Sequence, residues 1–416
     1  MRTALFALLL PLHAHADVGA FLDEQLPSIA ETYRWFHRHP ELSLEESGTA
    51  RHFAELIRDV GFDVTTDVGG HGVVGVLENG EGPTVMVRCD LDALPVTEAT
   101  PLPFPSSNDG VMHACGHDVH LTNVVATCRY MASHRSDCSG TIVAVAQPAE
   151  EIGAGAAAML ADGLFERFPR PDYALALHVG HDLAAGKIEL RGGFTQANVD
   201  SVDITMRGRG GHGARPHQSI DPIAMAAMLV VDLQTIVARE IDPTEPAVVT
   251  VGAINGGTKH NVIPDDCHLQ LTVRSYSPAV RKRLLAAIER KAAAVATSHR
   301  AAPPVVTISQ GTPSLENDRD LTARLRTVFE RTIGPDNVGT GEPSMGGEDF
   351  SRYGRAGVPI LMYRLGSVER KRLDRYASMD LPPPSLHSAE YHPDFEPTIR
   401  TAVTTMTAAL TTLMPR

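Results

Sequence analysis

Met112-His113-Ala114-Cys115-Gly116-His117-Asp118-Val119-His120 places three histidines, a cysteine and an aspartate in one short stretch of the chain. Cys115 and His117 are two residues apart, so within a helix their side chains would point to different sides. On a turn or at the entrance of a helix, both can contact one ion. A thiolate and an imidazole suit Zn²⁺ and similar divalent metals. A buried structural cysteine among surface histidines is the alternative, but ligand residue types at ligand spacing favour a metal site.

Acidic residues and one histidine follow three apolar runs that we predict to be buried strands. Asp90 follows the first run, Glu150 and Glu151 follow the second, and His178 ends the third. In open α/β sheets the carboxyl ends of strands carry the site, so we expect these side chains at one edge. Solvated glutamates or a core histidine would be the ordinary interpretation of each alone. For Asp92 we prefer a role in turn formation and helix capping.

The predicted elements divide the chain into two domains, because residues 17–416 exceed what one hydrophobic core usually supports. Helices and buried strands alternate in residues 17–196 and again in 311–416, as in α/β folds. Residues 197–310 instead follow the order β-α-β-β-α-β of a ferredoxin-like unit. We therefore predict an α/β catalytic domain that carries an inserted ferredoxin-like α+β domain.

Residues 1–16 have the pattern of a cleavable signal peptide. Arg2 is the charged start, residues 4–12 are a short apolar run, and residues 14–16 form an A-x-A cleavage box. We therefore expect an exported protein, periplasmic or secreted, with no later stretch that reaches the length of a membrane helix. The formal net charge of −13 argues against nucleic acid or an anionic membrane as a partner.

The chain contains 5 cysteines, and in an exported protein an odd number leaves one thiol unpaired. Cys115 as a metal ligand would explain that remainder. Cys128 and Cys138 could form a disulfide, whereas Cys89 lies in a predicted buried strand and is expected to be a core residue.

A glycine-rich stretch in the inserted domain matches a dinucleotide-binding pattern but lacks its context. Residues 208–213 fit G-x-G-x-x-G, yet residues 214–220 intervene before the next helix, and Pro216 lies among them. A dinucleotide oxidoreductase is therefore disfavoured. The same stretch places His212 on a flexible loop that a ligand can approach, although a mobile surface histidine would look the same. A serine hydrolase is disfavoured too, because Glu342 occupies the first glycine position of G-x-S-x-G.

Taken together, these motifs resemble those of the M20 metallopeptidase family. The resemblance is strongest to its amidohydrolase branch, which includes hippurate hydrolases and plant auxin-conjugate hydrolases. It implies a metal-dependent exopeptidase-like catalytic domain, with the inserted domain as a lid through which a homodimer forms. The motifs occur in the family's order over nearly all of residues 17–416, and the matching stretches are 88–95, 112–120, 148–151, His178, 211–217, 261–264, 347–350 and 386–388.

The resemblance also implies roles for individual residues. Glu150 is the general base, which activates a metal-bound water and passes its proton to the leaving amine. Asp90 orients one of the metal-ligating residues without binding the metal itself. Arg88 stands where the peptidase branches have a metal-binding histidine, which favours amidohydrolase over aminopeptidase chemistry. The resemblance implies two divalent metal ions per subunit, Zn, Mn, Co or Ni, held by Cys115, His117, Glu151, His178 and His387.

The implied reaction is hydrolysis of the amide bond of N-acyl amino acids or related conjugates. Asn261 and Arg274 would bind a substrate carboxylate, although a surface ion pair is the ordinary interpretation of Arg274. His212 would hydrogen-bond the oxyanion from a neighbouring subunit. A carboxypeptidase or dipeptidase of the same family is one alternative, and a non-catalytic periplasmic metal- or solute-binding protein is another. The stretch 366–385 looks longer than the usual connection and could reshape the substrate entrance.

Overall fold

The computed structural model describes residues 13–416, so most of the predicted signal peptide lies outside the described residues. The chain forms two compact units. The larger unit comprises the chain up to Gly193 together with Asn317–Glu342 and Tyr353–Arg416. The smaller unit comprises Phe194–Glu316 and Pro343–Arg352.

The helices and strands are as follows. The α-helices are α1 His13–Arg38, α2 Ser47–Arg58, α3 His117–Ser133, α4 Gly155–Ala161, α5 Leu164–Arg167, α6 Pro222–Arg239, α7 Pro278–Ser298, α8 Arg319–Ile333, α9 Ser351–Arg355, α10 Arg370–Ser378 and α11 Phe395–Leu413. The strands are β1 Asp63–Val68, β2 Gly72–Asn79, β3 Thr84–Asp90, β4 Gly140–Gln147, β5 Tyr173–Ala184, β6 Ile188–Glu189, β7 Gly193–Gln196, β8 Asn198–Arg207, β9 Gly211–His212, β10 Ala247–Asn255, β11 Val262–Ile263, β12 Asp266–Ser275, β13 Val305–Gln310, β14 Leu315–Asn317, β15 Val338–Gly339 and β16 Ile360–Val368.

The larger unit is built on an eight-stranded sheet in the order β1-β2-β4-β3-β5-β16-β6-β15. Its centre is parallel, because β3 pairs in parallel with β4 and β5, and β5 with β16. Strands β3 and β4 are buried along almost their whole length, as parallel strands covered on both faces are. This arrangement confirms the predicted α/β fold and aligns the carboxyl ends of the central strands.

Helix α3 is buried on nearly all sides rather than on one stripe. Its residues from His117 through Cys128 are all buried, including polar ones such as Asn123 and Thr127. It contacts α1, α11 and the central strands β3 and β5. A helix held on every side fixes its first residue, His117, firmly against the sheet.

The smaller unit has the predicted β-α-β-β-α-β order. Its four-stranded antiparallel sheet runs β10-β12-β8-β13, and α6 and α7 pack on it and on each other. The Asp221 carboxylate caps α6 by accepting the N–H groups of Ile223 and Ala224, with Pro222 at the first helical position. Ser277 caps α7 in the same manner, ahead of Pro278. These caps explain why both helices begin where the sequence predicted.

Within the described residues, one helix is long and apolar enough to cross a membrane by length and composition, and it is α6. The expectation that no stretch after residue 16 would reach that length is therefore wrong. The residues of α6 that are buried against the sheet include Met225, Leu229 and Leu233. Its other face leaves Met228 and Val231 exposed. The helix is thus the core helix of a folded unit with one apolar face outward.

The structure differs from the sequence reading in three further places. Helix α10 occupies part of the stretch 366–385 that was expected to be a polar connection. The stretch Pro343–Arg352 lies in the smaller unit, where the Ala197 N–H donates to Gly346 O and the Tyr276 hydroxyl donates to Ser344 O. All five cysteines are buried free thiols, so no disulfide joins Cys128 to Cys138.

Candidate metal centre

The predicted ligands of the larger unit come together at the carboxyl edge of its sheet. Strand β3 ends at Asp90, and β4 ends three residues before Glu150. His178 does not end its strand as predicted, because β5 continues to Ala184, but β5 is the parallel neighbour of β3 and its pairing with β3 stops at Ala176, two residues before His178. Because these strands run in the same direction, their ends place the side chains beside the start of α3.

Cys115 and His117 flank the entrance of α3, one of the two arrangements that their spacing allows. Gly116 between them has φ of +77°, the left-handed conformation that glycine adopts without strain. A Cβ at Gly116 would lie 2.6 Å from Val179 Cγ2 and 3.3 Å from Tyr391 Oη. Cys115 thus precedes the helix while His117 is its first residue, and both side chains can reach one ion.

Hydrogen bonds orient two histidines so that each presents a lone pair. His117 Nδ1 lies 2.8 Å from the carbonyl oxygen of Asp92, and His178 Nδ1 lies 2.9 Å from that of Val179. A carbonyl oxygen only accepts, so each Nδ1 carries a proton, and in the neutral ring that binds a metal each Nε2 has the lone pair. His117 Nε2 is buried and has no hydrogen-bond partner among the described residues.

The candidate ligand atoms form two groups that share Cys115. One group joins Cys115 with His117 and His178, the other joins it with Glu151 and His387, and within each the ligand atoms lie within 4.8 Å of one another. The Cys115 sulfur lies 3.5 Å from His178 Nε2, and Glu151 Oε2 lies 3.5 Å from His387 Nε2. Thiolate, imidazole and carboxylate donors suit a pair of first-row divalent ions. The residues therefore fit two divalent ions, which these two groups would hold, with Cys115 as the ligand residue common to both groups.

Glu150 joins a third group, with His117 and Glu151, whose ligand atoms also lie within 4.8 Å of one another. The turn that carries both glutamates is held by Ala149, which has φ of +51° and donates its N–H to Glu46 Oε1 at 2.7 Å. Burial raises the pKa of Glu46. Sequence reasoning missed Glu46, because it is an ordinary helix-start glutamate until this distant contact is seen.

Asp92 does more than the predicted turn and capping role. Besides its carbonyl contact with His117, its carboxylate accepts the Ser43 hydroxyl at 2.7 Å and the Glu151 N–H at 2.9 Å. It is fully buried. Asp92 therefore positions two candidate ligands at once, a role that the turn and capping interpretation did not include. The sequence signal that could have found it is its place two residues beyond a buried strand.

Asp90 supports the centre through His120 and Arg88. The Val179 N–H donates to His120 Nε2 at 3.0 Å, so the His120 proton is on Nδ1, which donates to Asp90 Oδ1 at 2.7 Å. The Arg88 guanidinium reaches the other carboxylate oxygen at 2.6 Å. Burial opposes ionisation of Asp90, but His117, His120 and Arg88 outweigh it and hold its pKa well below the usual range. Asp90 Oδ2 lies 3.8 Å from His117 Nε2.

A buried histidine cation lies close to this centre. His37 Nδ1 lies 2.7 Å from Asp118 Oδ2 and its Nε2 3.2 Å from Glu98 Oε1. Burial alone would lower the pKa of His37, but the two carboxylates raise it to about 9. Glu98 also accepts the Ser106 N–H at 2.6 Å, so this pair ties the loop after Pro95 to α1.

The remaining predicted residues lie in the smaller unit. His212 on β9 pairs opposite Val262 of β11, and the Gly213 N–H donates to Asn261 O at 2.8 Å. The Ala214 N–H donates to His212 Nδ1 at 3.0 Å, so a neutral His212 carries its proton on Nε2, where it can be donated. Arg274 is half-buried and donates to Thr272 Oγ1 at 2.9 Å. It forms no ion pair with any residue in 13–416, so the surface ion pair is not seen.

Residues 86–379 match the family described as Peptidase family M20/M25/M40. The chain belongs to this family. The N-acetyl-L-cysteine deacetylase of Bacillus subtilis (strain 168) is 36% identical over 80% of this chain and 78% of its own. Thermostable carboxypeptidase 1 of Saccharolobus solfataricus is 35% identical over 83% and 87%.

A solved structure shows the same architecture. It is the YXEP protein of Bacillus subtilis, described as a dinuclear metal binding peptidase from the M20 family. It is 27% identical, has a TM-score of 0.77, and the match covers 95% of this chain and 99% of that one. The family and the ligand groups support two divalent metals and a metal-dependent hydrolase of amide bonds.

Proposed function

We propose that the protein hydrolyses the amide bond of N-acyl amino acids. The observation that carries this proposal is the position of Glu150. It lies with His117 and Glu151 but belongs to neither group that contains Cys115, so its carboxylate lies beside both groups without being a member of either. A protein that only binds metal or solute has no need of such a base.

Each of the proposed site residues has a specific task in this reaction. The bound ions supply Lewis acidity, polarising the scissile carbonyl and lowering the pKa of water. Glu150 accepts a proton from the attacking water and delivers it to the leaving nitrogen. The Nε2–H of His212 donates to the developing oxyanion, and Asn261 and Arg274 bind the substrate carboxylate.

A substrate panel tests the proposal against its nearest alternative, a carboxypeptidase or dipeptidase. Purified protein, reconstituted separately with Zn²⁺, Mn²⁺, Co²⁺ or Ni²⁺, is assayed with N-acetyl and N-benzoyl amino acids, their methyl esters, and dipeptides. We expect kcat/KM to be highest for the N-acyl amino acids and to fall when the carboxylate is esterified. Glu150→Gln controls for contaminating activity. Higher kcat/KM for dipeptides would favour the alternative, and no turnover of any substrate would favour a binding protein.

A homodimer formed through the smaller unit is part of the proposal. The outward face of α6 exposes Met228 at 53% and Val231 at 70%, and the edge strand β10 exposes Ile254 at 48%. An apolar helix face beside an unpaired strand edge is the kind of surface that a second copy covers. We expect a dimer by light scattering, and Val231→Glu should convert it to a monomer. A wild-type monomer at micromolar concentration would contradict the dimer.

His212 is proposed to act on the metal centre of the partner subunit. Mixing His212→Ala with Glu150→Gln under subunit exchange creates one site with both residues intact. One of the two sites in a mixed dimer is then complete, so its activity should return toward about half of that of the wild-type dimer at most. The return should be measurable because oxyanion donors typically contribute 10²–10³ in kcat, so His212→Ala alone has little activity. If exchange is demonstrated by a mass label and no activity returns, His212 does not act across the dimer.

We also propose export, with cleavage after Ala16. Expression in a bacterial host should place the protein outside the cytoplasm, with Asp17 as the first residue by intact mass. Recovery of the uncleaved chain in the cytoplasm would contradict this.

A further inference from the structure

A cavity of about 310 Å³ lies in the larger unit, next to the loop that carries His387. Its walls come from Ala99 and Pro101, from α10, and from the segments on both sides of His387. None of the five candidate metal ligands lines it, nor does Glu150. It is therefore separate from the metal centre, and α10, which forms one of its walls, lies in the stretch that looked longer than usual.

The charged side chains of this cavity have opposite signs and are not neutralised. Arg375 and Glu390 both line it, both are exposed, and neither forms an ion pair or a side-chain hydrogen bond within residues 13–416. Their neighbour Arg372 is instead held in place, because it donates to Nε2 and the carbonyl oxygen of His392. A fixed wall beside two unpartnered opposite charges can orient a ligand that carries both charges.

Apart from His392, the rest of the lining is mainly apolar. Tyr376, Pro383, Pro384 and Tyr391 contribute aromatic and proline surface. A cavity of this size is at the small end of ligand pockets, which measure about 300–1,000 Å³. The space therefore suits a molecule of roughly ten to fifteen heavy atoms, on the order of one amino acid rather than a peptide.

We propose that this cavity binds a free α-amino acid with an apolar side chain. The carboxylate would pair with Arg375, the ammonium with Glu390, and the side chain would pack on Tyr376 and Pro383. A molecule with only one of the two charges would leave the other protein charge unpaired, so it should bind more weakly.

The cavity walls reach the metal centre by two routes. Pro384 and Glu390 lie three residues before and after His387, and the Ala99 N–H donates to Ala389 O at 2.8 Å within that loop. Tyr391 packs against Gly116, and its hydroxyl hydrogen-bonds Ser367 Oγ at 2.9 Å. A bound amino acid would thus restrain the His387 loop. An effect of the bound amino acid on turnover rests on the proposed function, whereas its binding to the cavity does not.

Calorimetric titration of the metal-loaded protein with L-phenylalanine tests the site. We expect saturable binding that persists after the metals are removed by chelation. Arg375→Gln and Glu390→Gln should each weaken it about tenfold or more, while Lys371→Gln, an exposed neighbour on α10 that does not line the cavity, should leave it unchanged. 3-Phenylpropanoate and phenethylamine, which each lack one charge, should bind about tenfold more weakly.

Two outcomes would overturn the proposal. One is the absence of binding, or binding that disappears on chelation and ignores Arg375→Gln, which would assign the signal to the metal centre. The other is equal affinity for L-phenylalanine and 3-phenylpropanoate, which would exclude recognition of a zwitterion. Circular dichroism of each variant checks its fold. Because the titration needs no turnover, binding without any hydrolase activity would count against the proposed function alone.

Discussion

Removal of the Cys115 thiol should eliminate both metal sites, whereas removal of one outer ligand should eliminate one. Cys115 belongs to both groups of ligand atoms, while His178 belongs only to the first and His387 only to the second. We therefore expect two ions per wild-type chain, about one in His178→Ala and His387→Ala, and close to none in Cys115→Ala. Cys128→Ala is the matched control, because Cys128 is a buried cysteine of α3 that belongs to neither group.

The same difference should appear in thermal stability. An ion present at 100 times its Kd stabilises the fold by about 2.7 kcal/mol, so two ions contribute about 5 kcal/mol. For a large domain each kcal/mol raises Tm by about 2 °C, which gives a metal-dependent rise of about 10 °C in the wild type. The rise should be about 5 °C in the two histidine variants and near zero in Cys115→Ala. Comparing each variant with and without metal removes the direct effect of the substitution.

Elemental analysis after dialysis measures the stoichiometry, and differential scanning calorimetry measures the rise in Tm. The reasoning would be refuted if Cys115→Ala retained one tightly bound ion and half of the rise, because Cys115 would then serve only one site. A retained rise in all three variants would place the metals elsewhere. Loss of the rise in Cys128→Ala would show that the assay reports general damage.

Four further substitutions test the surroundings of the centre. Glu150→Gln should lower kcat by about 10²-fold or more with both ions retained, while Glu151→Gln should lose metal; reversed phenotypes in kinetics and elemental analysis would contradict the assignment. Gly116→Ala puts a Cβ 2.6 Å from Val179 Cγ2 at a φ of +77°, so urea unfolding of metal-free protein should show a loss of about 2–3 kcal/mol, and an unchanged midpoint would contradict this geometry. His37 has a folded pKa of about 9 against 6.5, so its contribution of about 3 kcal/mol is complete below pH 6.5 and is lost as the pH rises through 9. The difference in unfolding free energy between the metal-free wild type and His37→Gln should shrink over that window, and a constant difference would exclude a charged His37.

The sequence was most informative where local pattern and topology coincide. A polar residue at or shortly after the end of a buried apolar run has few structural reasons to be there, so Asp90, Glu151 and His178 could be placed at one edge of the sheet from the sequence. Capping residues placed α6 and α7 for the same reason, because Asp221 and Ser277 act on the next turn of their own helix. Strand ends and helix caps are determined by residues that are close together in the chain, so they can be predicted from the sequence pattern.

The residues that were missed act over long distances in the chain. Glu46 holds the turn before Glu150 through a contact with Ala149 that spans 103 positions. The carboxylate of Asp92 receives Ser43 and Glu151 from two other segments. Neither contact leaves a periodic or spacing signal, because its partner is determined only when the sheet assembles. Helix α10 was missed because its polar composition and the prolines that follow look like a connection.

The five candidate ligands differ in how firmly the fold holds them. Cys115, His117 and Glu151 lie at a helix entrance or just beyond a strand, and hydrogen bonds that His117 and Glu151 donate to Asp92 orient these two. His387 instead comes from a loop, at a φ of +67°, with 55% of its side chain exposed and its N–H bonded to Ala114 O. The two histidines of the group around His178 are therefore oriented by hydrogen bonds within the protein, whereas the group around His387 includes a ligand from an exposed loop. The loop before α11 is thus the part of this centre where a change of sequence could alter specificity or control without disturbing the other four ligands.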